Sequence, residues 1–162
     1  MLVKVRGVCF PNPSTVVSGS RDASVRIWKL KNTSPPVYDQ SVISHASSFI
    51  NVVAFVPPSS AHPEGLVVSG SRDGLVEVRS PTKQPEESAD AVLIGHANNV
   101  CALDVSQDGS IIVSGSWDTT ARIWQIGKWS ADDSVVLRGH EASVWAVLAF
   151  SSDIIITGKP NY

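Results

Sequence analysis

Concentrated charge of either sign is missing from this sequence: 13 lysines and arginines stand against 15 aspartates and glutamates, a net charge of −2. That balance excludes a general electrostatic attraction to nucleic acid or to an anionic membrane, so any partner must be recognised locally. Long apolar runs are missing too. Nothing approaches the ~20 residues of a membrane-spanning helix, and the opening Met1-Leu-Val-Lys-Val5 lacks the apolar core of a signal peptide. The reading is a chain of the cytoplasm or nucleus with no membrane insertion. Sulfur is scarce. Cys9 and Cys101 lie far apart in valine-rich surroundings with no Cys or His at a ligand spacing, which argues against a zinc site and for inert packing. A Walker-type phosphate loop, a dinucleotide fingerprint and a His-Glu-x-x-His helix are also lacking, so neither cofactor nor metal is expected.

What the sequence has is repetition. Ser18-Gly-Ser-Arg-Asp22 running on to Trp28, Ser69-Gly-Ser-Arg-Asp73 running on to Arg79, and Ser114-Gly-Ser-Trp-Asp118 running on to Trp124 align with one another. Their aspartates are 51 and 45 residues apart. A second marker repeats in phase: Ser44-His45, Gly95-His96 and Gly139-His140 each precede an apolar alternation such as Val100 to Val105 or Val144 to Val147. Short Val- and Ile-rich runs bounded by Gly, Asp, Ser and Pro give the strand-and-turn pattern of an all-β chain, and no segment has a convincing helical period. Asp22, Asp73-Gly74 and Asp118 sit where one strand must reverse into the next, because aspartate bonds its own backbone in tight turns. The proline-rich connections Lys29 to Tyr38, Pro57 to Glu64 and Ser80 to Asp90 are expected to be exposed loops, with His62 a surface residue in the second of them.

A period in the forties that carries Gly-His, Ser-Gly-Ser-x-Asp and a terminal Trp resembles the WD-repeat family, in which each repeat contributes four strands of a β-propeller blade. The expected fold is an all-β WD-repeat propeller of about three and a half blades, with repeats at about 1–43, 44–94, 95–138 and a partial one at 139–158. In that family the histidine, the strand serine, the turn aspartate and the tryptophan form one hydrogen-bonded network. Carried over by position, this implies His96, Ser114, Asp118 and Trp124 in the third repeat, His45, Ser69 and Asp73 in the second, Ser18, Asp22 and Trp28 in the first, and His140 opening the fourth. Arg79 stands where the second tryptophan belongs, so that network is expected to be weaker or solvent-linked. A Ser, a His and an Asp brought together also occur in hydrolases, but a catalytic constellation is built once per domain, and this one recurs without a nucleophile elbow. The expectation is a chain that is not an enzyme.

The stretches Leu93 to Cys101, Ser114 to Trp124 and Leu137 to Val147, with Gly115-Ser-Trp-Asp-Thr-Thr120 the most specific among them, resemble the N-terminal propeller of the phospholipase A2-activating protein family. The resemblance implies a ubiquitin-binding adaptor in ubiquitin-dependent degradation or sorting, with ubiquitin or ubiquitinated proteins as partners. A Cdc48-type segregase would be engaged only through domains absent from this sequence. It places the binding surface at the residue before each turn aspartate and at the opening of each first strand: Arg21, Arg72 and Trp117, with Arg6, Ile50, Cys101 and Trp145. Ubiquitin's apolar patch, flanked by basic residues, suits the two tryptophans better than the arginines. Two alternatives stand beside this reading: a generic WD scaffold of another complex, and a truncated product without independent activity. Val5 to Val8 matches a first strand whose Gly-His falls before and at Met1, and Ile154 to Gly158 matches a second strand followed by no turn aspartate, so an open arc of low stability is expected.

Overall fold

The structure, a computed structural model, describes residues 4–160 as fourteen strands and a single 3-10 turn at Ala131–Asp133. The strands form consecutive antiparallel sheets, each made of strands adjacent in sequence. The first sheet is β1 (Val5–Asn12), β2 (Thr15–Ser20), β3 (Ser24–Lys31) and β4 (Val37–His45); the second is β5 (Ile50–Val56), β6 (Leu66–Ser71), β7 (Val76–Arg79) and β8 (Ala91–Leu93). The third is β9 (Val100–Val105), β10 (Ile111–Ser116), β11 (Ala121–Gln125) and β12 (Val135–Leu137), and a two-stranded sheet of β13 (Ala146–Ala149) and β14 (Ile155–Gly158) follows. Successive sheets pack through their first strands, β1 on β5, β5 on β9 and β9 on β13. This is the expected propeller architecture, all β and partial.

Packing follows from β-branched residues on both faces of the second strands. Every residue of β6 and of β10 is buried, so each of these strands is covered on both sides, which Leu-Val-Val-Ser-Gly-Ser and Ile-Ile-Val-Ser-Gly-Ser tolerate because three apolar side chains are followed by three small ones and none is charged. Val17, Val25, Ile50 and Val67 fill the first interface, Val68, Val78, Val100, Ile112 and Trp124 the second, and Ile111, Val113 and Ala149 the third. One glycine per sheet lets the next sheet close in. A Cβ on Gly19 would lie 2.4 Å from Ile50 Cγ2, one on Gly70 2.6 Å from Val100 Cγ1, and one on Gly115 2.9 Å from Val144 Cγ1. Any side chain at these positions would force the sheets apart.

The connection expected over Lys29 to Tyr38 is shorter than the sequence suggested. β3 runs on to Lys31 and β4 starts at Val37, so the hairpin legs absorb all but residues 32–36, and Lys31 and Asp39 pair across them at 3.1 Å. The prolines bent the reading, since they break a strand only where they stand. At the three β2–β3, β6–β7 and β10–β11 turns the residue after the aspartate is left-handed: Ala23 at φ 65°, Gly74 at 88° and Thr119 at 70°. Glycine adopts this conformation freely, whereas a β-branched residue is strained by about 1–2 kcal/mol. Thr119→Gly is therefore expected to stabilise the chain by about 1 kcal/mol after the glycine's entropy loss is counted, read as a higher urea midpoint at unchanged slope.

Candidate protein-binding rim

The third repeat contains the complete buried network. His96 follows β8 and reaches across into the third sheet, where its Nδ1 lies 2.8 Å from Asp118 Oδ2 and its Nε2 2.7 Å from Ser114 Oγ. A carboxylate only accepts, so Nδ1 carries the proton, Nε2 accepts from the Ser114 hydroxyl, and Ser114 Oγ in turn accepts from Trp124 Nε1 at 2.9 Å. Asp118 also accepts from the Thr120 hydroxyl at 2.6 Å and from the backbone N–H groups of Thr120 and Ala97. Burial holds the His96 pKa below its ordinary 6.5 against the pull of Asp118, so the ring is neutral, as its two bonds require. Burial would raise Asp118, but the bonds from Thr120, His96 and Ala97 outweigh it and draw the carboxyl down to about 2. Ser114 is fully buried and both of its bonding directions are taken, so it offers no nucleophile to a substrate.

The other repeats vary this theme. In the first, Trp28 Nε1 donates to Ser18 Oγ at 2.8 Å and Asp22 accepts from Ser24, with no histidine among the described residues. In the fourth, His140 Nε2 lies 2.7 Å from Thr157 Oγ1, the counterpart of Ser114. The second repeat departs from expectation. His45 is exposed and makes no bond to Ser69 or Asp73; the Asp73 carboxylate accepts instead from the hydroxyls of Ser47 and Ser71. Nor is Arg79 solvent-linked. It is buried, its Nε donates to Glu77 at 2.9 Å, and its two terminal nitrogens donate to the carbonyls of Gln84 and Glu87. Ser44, standing where the third repeat has Gly95, donates to the same Glu77 carboxylate. An ion pair with its own hydrogen-bond shell thus replaces indole, serine and imidazole, and with no indole to orient the serine the histidine is left outside.

These networks hold the turns that carry the exposed rim. The backbone N–H of Arg21 donates to Lys4, that of Arg72 to Phe49 and that of Trp117 to Asn99, so the residue before each turn aspartate is pinned to the opening of its own first strand. Trp117 and Trp145, from the third and fourth sheets, lie with ring centroids 5.8 Å apart and remain 44% and 51% exposed. On the second sheet the Arg72 guanidinium lies 5.6 Å from the centroid of the exposed Phe49 ring. Between the two pairs, Asn51 Nδ2 donates to Asn99 Oδ1 at 2.5 Å. Arg6 and Arg21 are exposed at the first sheet.

Of the residues expected on this surface, Ile50 lies outside it and Cys101 is half-buried, with its thiol turned to the next sheet. Ile50 is only 1% exposed and seats against Gly19, because the register shift between Ile50 and Val52 turns it toward the preceding sheet. Asn51 holds the rim position instead. The Cys101 thiol donates to the Val144 carbonyl at 3.0 Å, inside the interface between the third and fourth sheets, and burial pushes it up to about 11. Cys9 is likewise pushed up to about 11 by burial, so both thiols stay protonated and unreactive near neutral pH. Phe49 and the Asn51–Asn99 bridge escaped the sequence reading, although Phe49 directly precedes Ile50 at the strand opening.

The sequence pattern of the WD domain, G-beta repeat family matches residues 3–29 and 89–125. With four consecutive antiparallel sheets and the Ser-His-Asp-Trp network of the third repeat, the chain is a WD-repeat β-propeller chain, part of one propeller. Its relatives are specific. It is similar to phospholipase A-2-activating protein of Xenopus laevis, 37% identical across 81% of this chain and 15% of that protein. It is also similar to ubiquitin homeostasis protein lub1 of Schizosaccharomyces pombe, 35% identical across 76% of this chain and 16% of that protein. Among solved structures, the WD40 beta propeller domain of Doa1 superposes with a TM-score of 0.78 at 30% identity, covering 94% of this chain and 47% of that one. The chain thus spans less than a fifth of the length of these two curated relatives.

Because the folded chain keeps His96 neutral, protonation of the unfolded chain below about pH 6.5 draws the equilibrium toward unfolding, so the contribution of His96 is complete above that pH and shrinks below it. Asp118 adds a second loss, starting near its ordinary 3.8 and ending near its folded value of about 2. Denaturant melts across this range are expected to fall in two limbs, with Asp118→Asn flattening the lower one. Ser114→Ala leaves His96 Nε2 and Trp124 Nε1 buried without partners and is expected to cost about 3 kcal/mol in the same assay.

Proposed function

We propose that this chain is a non-catalytic scaffold whose rim binds ubiquitin or ubiquitinated proteins in ubiquitin-dependent degradation or sorting. The observation that carries this reading is the Trp117–Trp145 pair: two large, half-exposed aromatic rings, held against each other at one end of adjacent sheets. Tryptophan is the residue type most enriched at binding hot spots, since it buries a large apolar area and keeps one donor. Rings already packed against one another lose little side-chain freedom on binding. Ubiquitin's apolar patch matches this chemistry, and the name of a relative, ubiquitin homeostasis protein lub1, supports the choice of partner. The exposed Phe49 ring, stacked with Arg72, extends the apolar surface of the rim onto the second sheet.

The network beneath the rim supports a structural role for the Ser-His-Asp residues, because it positions the turn that carries Trp117 and leaves Ser114 closed to substrate. A chain of the cytoplasm or nucleus is the setting in which ubiquitin is met. The experiment is a two-dimensional NMR titration of labelled ubiquitin with this chain. Shifts confined to ubiquitin's apolar patch, and lost with Trp117→Ala and Trp145→Ala variants whose circular dichroism is unchanged, are the expected result. Unperturbed ubiquitin in the presence of the folded chain would leave the generic scaffold reading in its place.

A further inference from the structure

The repeats place the same two positions on either side of each gap between sheets. Trp117 precedes the turn aspartate of the third sheet, Trp145 follows Val144 on Gly115, and the two rings meet across the third gap with centroids 5.8 Å apart. At the first gap these positions belong to Arg21, which precedes Asp22, and to Asn51, which follows Ile50 on Gly19. At the second they belong to Arg72, which precedes Asp73, and to Cys101, which follows Val100 on Gly70. The rim thus changes character along its length, with a guanidinium at each of two successive gaps and then the paired indoles.

Both guanidiniums are exposed and uncommitted. The backbone N–H of Arg21 is bonded to Lys4 and that of Arg72 to Phe49, but among the described residues neither side chain makes a hydrogen bond or an ion pair. By contrast, Arg26, Arg79 and Arg122 each donate to a side chain of their own sheet or its loops. The neighbouring aspartates are occupied elsewhere. Asp22 accepts from the Ser24 hydroxyl at 2.6 Å and pairs with Arg26 at 3.6 Å, and Asp73 gives one oxygen to the Ser71 hydroxyl and the other to Ser47. Across the gaps, Asn51 donates its amide to Asn99 and Cys101 turns its thiol to Val144, so neither supplies a counter-charge. Arg72 lies over the Phe49 ring, an arrangement that engages the face of a guanidinium and leaves its in-plane N–H donors open.

We propose that Arg21 and Arg72 form a docking tract for an acidic peptide segment, whose aspartate or glutamate side chains each take one guanidinium as the segment crosses from the first gap to the second. The planar fork of arginine matches a carboxylate in bidentate fashion, and these charge-assisted bonds are the strong ones. The pinned backbone of each arginine leaves only side-chain freedom to be lost on binding. Charge also separates this tract from the Trp117–Trp145 face: a surface with basic flanks is repelled by Arg21 and Arg72, whereas an acidic one is drawn to them. The proposal therefore goes beyond ubiquitin recognition and does not rest on it.

Fluorescence anisotropy of a fluorescein-labelled peptide of alternating glutamate and serine, titrated with this chain, is the test. A saturable rise that weakens with added salt is expected, and none for the same peptide with glutamine in place of glutamate. Arg21→Gln and Arg72→Gln, each with unchanged circular dichroism, are each expected to weaken binding about tenfold. Lys128→Gln removes the same charge from an exposed site beyond the far end of β11 and is expected to leave the titration unchanged. No response to the glutamate peptide, an equal response to the glutamine peptide, full binding by either folded arginine variant, or an equal loss with Lys128→Gln would each overturn the proposal. The assay contains no ubiquitin, so its outcome and that of the ubiquitin titration are read separately.

Discussion

The spacing between sheets rests on the missing side chains of Gly19, Gly70 and Gly115. Because each admits a branched side chain from its neighbour, adjacent first strands approach closely enough for their ends to touch. That closeness brings Trp117 against Trp145 and Asn51 against Asn99, so the rim is a product of core packing and not of loop structure. A rim on such a base is held in place before any partner arrives, the condition under which a contact contributes most to affinity.

Close packing on both faces creates the second demand, that polar groups inside be matched inside. The chain meets it differently in each repeat. The third repeat uses neutral imidazole, hydroxyl, carboxylate and indole; the first has indole and hydroxyl; the second has a buried Glu77–Arg79 pair. In the third repeat the network starts just after the second sheet has ended, at His96, and in the second it starts in the last strand of the first sheet, at Ser44; both finish in the following sheet. Each repeat of sequence is thereby a fastener between two units of structure, which explains why sequence repeats and sheets are out of phase.

Much of this was legible because the informative contacts are local. Asp118 bonds to Thr120 and Ser116, Asp22 to Ser24 and Ser20, and Trp124 to Ser114 on the paired strand, so one repeated string encodes strand, turn and network together. The exposed tryptophans were legible for the same reason, standing next to the turn aspartate or at a strand opening. What escaped depends on geometry that the string does not encode. A register shift turned Ile50 inward and brought Asn51 to the surface. The fate of His45 followed from Arg79, whose partners Gln84 and Glu87 lie in a loop with no repeat signature.

That same loop carries a constraint on how the chain can change. Arg79 is satisfied by two main-chain carbonyls of the Ser80 to Asp90 connection, and Lys83 and Asp90 clasp its ends at 2.8 Å. Surface loops ordinarily tolerate gains and losses of residues because nothing inside depends on their path. Here a change of length would strand a guanidinium in the interior. The stretch is solvent-facing in composition yet counts as core in its tolerance of insertions and deletions.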